Sequence, residues 1–224
     1  GIHVNILSEY GITDVHQPIH INRLLRSMGL IEVREENGLE ILDAGASKAF
    51  AMADHQVAHV YINDKSKTKE IENNLKANPD IECVLNADEQ PAYHINHDRS
   101  GDLVIVAKEK YWFTYYYWED DKKAPDFART VAIHNKPGYD PVEMFFDPKK
   151  KFIVPKILLK LLGKKLGFRT LMDFIPLDAS LVKGSHGRIQ LKDEDKAVYI
   201  GHKGVESNLS PIAIHDIILA QVFG

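Results

Sequence analysis

Apolar residues gather in short clusters separated by polar turns, a layout that predicts alternating strands and helices. The first cluster, residues 4–8, reads as a strand running into Glu9, Tyr10 and Gly11. Polar groups then stand at the strand's C-terminal end, the edge where open α/β sheets bind ligands. Over 18–28, Ile19, Ile21, Leu24, Leu25 and Met28 recur at helical spacing, and Gly29 closes the element. Short strands follow at 30–33, 39–42 and 57–62, then a helix at 67–77 that Asn78 and Pro79 stop. Compact apolar runs at 81–85 and 103–107 predict two more strands, with Asp98, Arg99, Ser100 and Gly101 as a turn between them. The resulting β-α-β-α-β alternation places the chain in the α/β class.

After Ala107 the pattern changes. Residues 111–118 are almost wholly aromatic and alternate Trp112, Thr114 and Tyr116 against Phe113, Tyr115 and Tyr117. That run could stack bases, but it reads first as a strand packed on both faces. Pro and Gly mark 122–155, so mostly irregular structure is expected there, and 111–155 is treated as an excursion within a single domain spanning residues 1–224. At 155–166 Leu158, Leu159, Leu161, Leu162 and Leu166 are interleaved with lysines, which predicts an amphipathic helix ended near Gly167, and the lysine excess over 149–165 reads as a solvated helix face rather than a phosphate or membrane patch. Ser210 and Pro211 open a terminal helix reaching Val222.

Length and composition narrow the class further. With 224 residues, 44% hydrophobic and 27% charged, the chain is long enough to bury a core. A net charge of −4 carries no basic footprint of a nucleic-acid binder. Cys83 is the one cysteine, so there is no disulfide framework, and its apolar neighbours read as a core strand. No apolar run approaches the ~20 residues that cross a bilayer, and the opening residues lack the layout of a signal peptide. They resemble a strand entered midway, which carries the expectation that the natural protein continues upstream.

Eleven histidines make chance groupings common, so each is weighed on its setting. His186 stands in Lys183-Gly184-Ser185-His186-Gly187-Arg188, where glycines let the backbone turn sharply and approach another group. Neutral imidazole is a common metal ligand, and the residues alone leave His186 open between ligation and loop hydrogen bonding. Asp54 and His55 offer a carboxylate beside an imidazole and read first as a hydrogen-bonded structural pair. Glu119, Asp120 and Asp121 read as solvated carboxylates.

Three motifs in chain order, Ser8-Glu9-Tyr10-Gly11-Ile12, His97-Asp98-Arg99-Ser100-Gly101-Asp102-Leu103 and Gly184-Ser185-His186-Gly187, resemble the C-terminal half of the type I phosphodiesterase and nucleotide pyrophosphatase family of the alkaline phosphatase superfamily. Segments 124–129 and 136–141 are similar to one bacterial branch of it. The resemblance implies an alkaline-phosphatase-like α/β sheet with flanking helices, of which this chain is the C-terminal part. It implies that His186 ligates one of two catalytic divalent metals, zinc in most members, with manganese the alternative. The family's strand-end motif is Ser-Asp-His-Gly, whose Asp and His bind the second metal. Here Glu9 and Tyr10 stand in those places. Glutamate ligates with a longer reach, whereas tyrosine replaces imidazole poorly. Three readings follow: Glu9 binds the second metal with other residues, one metal is held, or another histidine takes over. His16, His20 and His55 are the substitutes, the last with Asp54 beside it.

In the family a Thr or Ser nucleophile, an early Asp and an Asp-x-x-x-His pair all precede the strand that opens this chain. None of Thr13, Thr68, Thr114, Thr130 and Thr170 has the strand-then-helix setting of an activated nucleophile. The resemblance therefore implies metal-dependent hydrolysis of a phosphodiester or nucleotide pyrophosphate bond in a small-molecule substrate. The nucleophile and remaining ligands come from the N-terminal half of the same protein, and this chain alone is inactive. The alternative, which Tyr10 favours, is a non-catalytic binding relative that has lost one metal site.

Overall fold

A computed structural model describes residues 4–201 and 209–223, so Gly1, Ile2 and His3 of the expected opening strand lie outside the described residues. In chain order the elements begin with β1 (Ile6–Leu7), β2 (Thr13–His20), α1 (Ile21–Ser27), β3 (Val33–Glu36) and β4 (Leu39–Leu42). Next come β5 (Ala49–Asp54), β6 (Val57–Ile62), α2 (Thr68–Ala77), β7 (Ile81–Asn86), β8 (Leu103–Ala107) and β9 (Lys110–Thr114). The last are α3 (Ile153–Lys165), β10 (Gly184–Ser185), β11 (Tyr199–Ile200) and α4 (Pro211–Phe223). The chain divides into two compact units, residues 13–190 and residues 1–12 with 191–224.

The larger unit is mixed α/β and holds the core. Its main sheet has the order β5-β6-β8-β7 and every pairing in it is antiparallel. The predicted β-α-β-α-β alternation in sequence is therefore not a parallel sheet: hairpins, not helical crossovers, join β5 to β6. All five residues of β8 are buried, as its unbroken apolar run requires of a central strand. β5 and β6 bury alternate residues on one face. The outer edge of β5 is covered by α1, where buried Asn22 mimics a strand partner: its Nδ2 donates to Ala51 O at 2.8 Å and its Oδ1 accepts from Ala51 N at 2.8 Å.

A second sheet, β10-β2-β9, carries the parallel pair β2–β9. The helix expected at 18–28 begins only at Ile21, because residues 18–20 are the end of β2. A bulge between Val15 and Gln17 interrupts the period-two pattern and hid the strand from a reading of spacing. Pro18 is tolerated because β10 pairs only with Thr13 and Asp14, leaving that side of β2 without a ladder. β5 was also missed, since the alternating alanines of Ala-Phe-Ala-Met-Ala carry little strand signal. The strand expected at 30–33 lies at Val33–Glu36, paired with β4.

The aromatic run enters the core as a strand and then as an extended segment: Trp112, Phe113, Tyr115, Tyr116, Tyr117 and Trp118 are all buried. Tyr116 stacks on Trp118 with ring centroids 4.6 Å apart, and Tyr115 meets Trp118 edge-on at 5.5 Å. Arg23 Nε donates to Trp118 O at 2.5 Å, and Arg26 grips Glu40 with both terminal nitrogens while donating to Tyr117 O at 3.0 Å. These bonds satisfy a backbone that has left the sheet. Between β9 and α3 the described chain forms only single turns. The smaller unit pairs β1 with β11 antiparallel and ties β1's neighbour Asn5 to Gln221 of α4 at 2.7 Å.

His20 closes β2 against the aromatic run, with Nδ1 2.8 Å from Thr114 Oγ1 and its ring stacked on Tyr116 at 5.6 Å. Burial, helped by the Arg23 charge, pulls its pKa from 6.5 down to about 4. The unfolded chain therefore binds a proton that the native state refuses, so stability is full above about pH 6.5 and falls as the pH drops toward about 4. Thermal unfolding at stepped pH is expected to show a falling midpoint across that window, and a shallower fall in His20→Gln. Equal slopes would remove His20 as the cause.

Candidate functional site

The tightest gathering of candidate residues is built on the turn between β5 and β6. Asp54 pairs with Val57, so His55 and Gln56 form a two-residue hairpin loop. His55 takes a φ of 57°, in the left-handed region that histidine enters more readily than most side chains. Gln56 is fully buried and spends all its hydrogen-bonding groups on different parts of the chain. Its N–H donates to His186 O at 2.9 Å, and its carbonyl accepts from Ala107 N at 2.9 Å. Its Nε2 donates to Tyr111 O at 2.9 Å, and its Oε1 lies 3.3 Å from the Thr13 hydroxyl. Phe113 N donates to His55 O at 2.7 Å.

This node draws the loop containing His186 onto the hairpin tip. β10 pairs with the start of β2, and the chain then turns at Gly187, whose φ is 110°. A Cβ there would stand 3.2 Å from Val57 Cγ2, so the sharp turn and close approach expected of a glycine are both realised. Past the turn, Arg188 Nε donates to Glu82 Oε2 of β7 at 2.8 Å and fixes the loop's other end.

As a result the imidazoles of His55 and His186, far apart in sequence, lie with centroids 4.0 Å apart. The Tyr139 ring covers His55 from another side at 4.6 Å. Asp54 Oδ1 stands 3.8 Å from His55 Nε2, beyond hydrogen-bond reach, so the expected hydrogen-bonded Asp54–His55 pair is not formed: the left-handed turn splays the two side chains, and Asp54 points into solvent. His55 Nδ1 is buried without a hydrogen-bond partner. Burial first, and then the neighbouring His186, lowers the His55 pKa to about 4 against a small opposing pull from Asp54, so the ring is neutral at pH 7.

Tyr139 is held by a clamp in the segment 136–141, which the resemblance singled out without giving it a role. Lys136 is fully buried, with Nζ 2.9 Å from Asp140 and 2.6 Å from Glu143, and it lies 5.7 Å from the Tyr115 ring centroid. Burial pushes the Asp140 carboxyl above its usual range although Lys136 opposes it. Between these residues Gly138, at φ 127°, lies against Ala53, and Tyr139 N donates to Ala53 O at 2.8 Å. A Cβ on Gly138 would meet Ala53 O at 2.2 Å, so only glycine fits. The Lys and Asp four residues apart around a glycine were the available signal. Gln56 had none, since a single polar residue in a turn has no periodicity.

Of the other candidates, His16 is exposed on β2 and His20 is consumed by Thr114 and Tyr116. Glu9 is exposed just after β1, in the smaller unit, and Tyr10 beside it is 46% exposed. The donors at the hairpin suit a zinc-type ion in kind, being adjacent imidazoles with one buried, unsatisfied nitrogen. In number they do not complete a site: among the described residues no three His, Cys, Asp or Glu side chains converge.

The family model described as type I phosphodiesterase / nucleotide pyrophosphatase matches residues 1–140. No curated protein matches the sequence. Among solved structures, phosphonoacetate hydrolase from Sinorhizobium meliloti 1021 in complex with phosphonoformate is similar at 21% identity over 52% of this chain and 29% of that one, with a TM-score of 0.38. The same enzyme with phosphonoacetate gives 20% identity over 62% and 33%, with a TM-score of 0.38. Murine ectonucleotide pyrophosphatase / phosphodiesterase 5 gives 19% over 54% and 28%, with a TM-score of 0.35. This chain thus spans about a third of the length of the solved structures it matches.

Two substitutions test the construction of the hairpin site. Gln56→Leu strands the Tyr111 carbonyl and leaves the Thr13 hydroxyl only its longer bond to Ser185 O, and is expected to cost about 1–3 kcal/mol in denaturant unfolding. Lys136→Met leaves two buried carboxylates without their cation and is expected to cost about 3–5 kcal/mol. Losses under about 1 kcal/mol would show that neither network is closed in solution.

Proposed function

The chain belongs to the type I phosphodiesterase / nucleotide pyrophosphatase family, and from that membership we propose that it forms part of a metal-dependent hydrolase of phosphodiester or nucleotide pyrophosphate bonds. The observation that carries the reading is the pairing of His55 and His186, brought within 4.0 Å by the Gln56 node. In the proposal His186 ligates one divalent cation, zinc or manganese, and Glu9 ligates a second. His55, with Asp54 beside it, is the alternative ligand. The nucleophile and the remaining ligands come from residues outside this chain.

When bound, such cations neutralise charge on the phosphoryl group and activate the nucleophile. The chain's own residues prepare for that. The hairpin tip and the Gly187 turn fix the two rings before any ion arrives, so little ordering entropy is left to lose. Desolvation keeps His55 neutral, the form that donates a lone pair, without competition from protons near pH 7. Tyr139 shields one face of His55 from water. The substrate in this reading is a small phosphate ester or nucleotide.

Tyr10, at the place where the family motif has a metal-binding histidine, favours a second reading, a binding relative that has lost one metal. Metal content of the full-length protein separates the two: two tightly held ions support the hydrolase, none supports the binder.

The direct test is hydrolysis of a chromogenic aryl phosphodiester with added Zn²⁺ or Mn²⁺. The full-length protein is expected to be active, its His186→Ala variant to fall to background, and the 224-residue chain alone to be inactive. Undiminished activity in His186→Ala removes His186 from the site. Activity in the short chain places the nucleophile within it.

A further inference from the structure

The lysines of α3 are mostly solvated, as an amphipathic helix predicts, but its leucines are not packed inward. The side toward the protein carries half-buried Ile153, Ile157 and Lys160: Lys160 Nζ donates to Leu171 O at 2.5 Å and pairs with Asp173, while the exposed Lys156 has its Nζ 3.6 Å from the same carboxylate. Gly163, on that side, leaves room for Thr170, whose Cγ2 would stand 3.3 Å from an added Cβ. Asp173 compensates two lysine charges at the face of the helix that meets the protein.

No residue of α3 is buried. At 3.6 residues per turn, Val154, Leu158, Leu159, Leu161, Leu162 and Leu166 fall on one broad arc. Leu158 is 60% exposed, Leu159 69% and Leu166 67%. Phe152 before the helix and Phe168 after it are 80% and 66% exposed, extending the apolar surface at both ends. A patch of this kind marks an interaction surface.

Charge says which kind. Residues 148–172 hold eight of the chain's 28 lysines and arginines and none of its 32 acids, so the other 199 residues carry 20 cations against 32 anions. The positive charge is concentrated where the leucines are exposed. Lys151 precedes the helix, and Lys164, Lys165 and Arg169 sit at its C-terminal end, all exposed. Their stems can run along the apolar arc while their heads reach outward. Thirteen residues make a helix of about 20 Å, too short for the ~30 Å core of a bilayer, and among the described residues no helix can cross one.

We propose that α3 docks flat on an anionic lipid surface, with its leucine arc in the headgroup and acyl boundary and Lys151, Lys164, Lys165 and Arg169 against lipid phosphates and carboxylates. The proposal is independent of the hydrolase reading. A second polypeptide or a second copy of this chain on the same arc is the rival occupant.

The test is vesicle flotation with the 224-residue chain and with the full-length protein. Both are expected to float with vesicles of phosphatidylcholine plus phosphatidylserine, and to be released by about 0.5 M salt. Leu158→Glu with Leu162→Glu is expected to cut partitioning at least about tenfold with an unchanged circular dichroism spectrum. Neutralising Lys151, Lys164 or Lys165 is expected to lower it about fivefold per residue. Equal binding to phosphatidylcholine alone, or no binding to either, overturns the proposal. So does maleimide labelling of Leu162→Cys, in a full-length protein with Cys83 and any other native cysteine replaced by Ser, if the thiol is already shielded before vesicles are added. In that case polypeptide covers the arc. Labelling that is fast without vesicles and blocked with anionic ones supports the lipid surface.

Discussion

The larger unit depends on one constraint: a buried amide must have its hydrogen bonds, and Gln56 can find them only where five segments meet. Its backbone and side chain reach β2, the end of β8, β9 and the loop carrying His186. Leaving any of those groups without a partner in a dry interior costs about 1–3 kcal/mol, so the segments are held in register by the penalty for separating. The proximity of His55 and His186 is a by-product of that accounting.

Around the node the structure repeatedly pairs a polar group with backbone that lacks a sheet partner. Asn22 stands in for a strand along β5, and Arg23 and Arg26 satisfy carbonyls of the aromatic segment where it leaves β9. The buried Lys136 clamp belongs to the same economy, in a more demanding form. Three ionisable groups share a site that excludes water, and the arrangement is stable only as a whole. Its location around Gly138 and Tyr139 means that ionic packing, and not apolar contact, sets the wall beside His55.

Two segments of the larger unit contrast in how they handle apolar surface. The aromatic run is wholly buried within it, whereas α3 shows its leucines outward and turns Lys160 alone of its lysines toward the protein. Lone Leu exposure is ordinary, but a broad arc bordered by unneutralised cations is a surface shaped for something else.

Much of the architecture was legible in the residues. β4, β6 and β8 lie where the apolar runs placed them, α2 starts one residue inside its expected span, and the resemblance named the family whose model matches residues 1–140, a span that holds the first two motifs. Local spacing determined these because a strand or helix with one buried face needs its own period, whatever it packs against. Spacing could not reveal β2 behind its bulge, the alanine-rich β5, or the direction in which α3 faces. It could place Asp54, His55 and His186 in turns, but could neither bring the two histidines together nor separate Asp54 from His55. Those outcomes rest on hydrogen bonds between residues dozens of positions apart, made by Gln56, Lys136 and Asp173, and a single polar side chain carries no periodic trace of the partner it will meet. Element type is a local property of the chain. Which polar groups satisfy one another is decided only when the chain is folded and the water is gone.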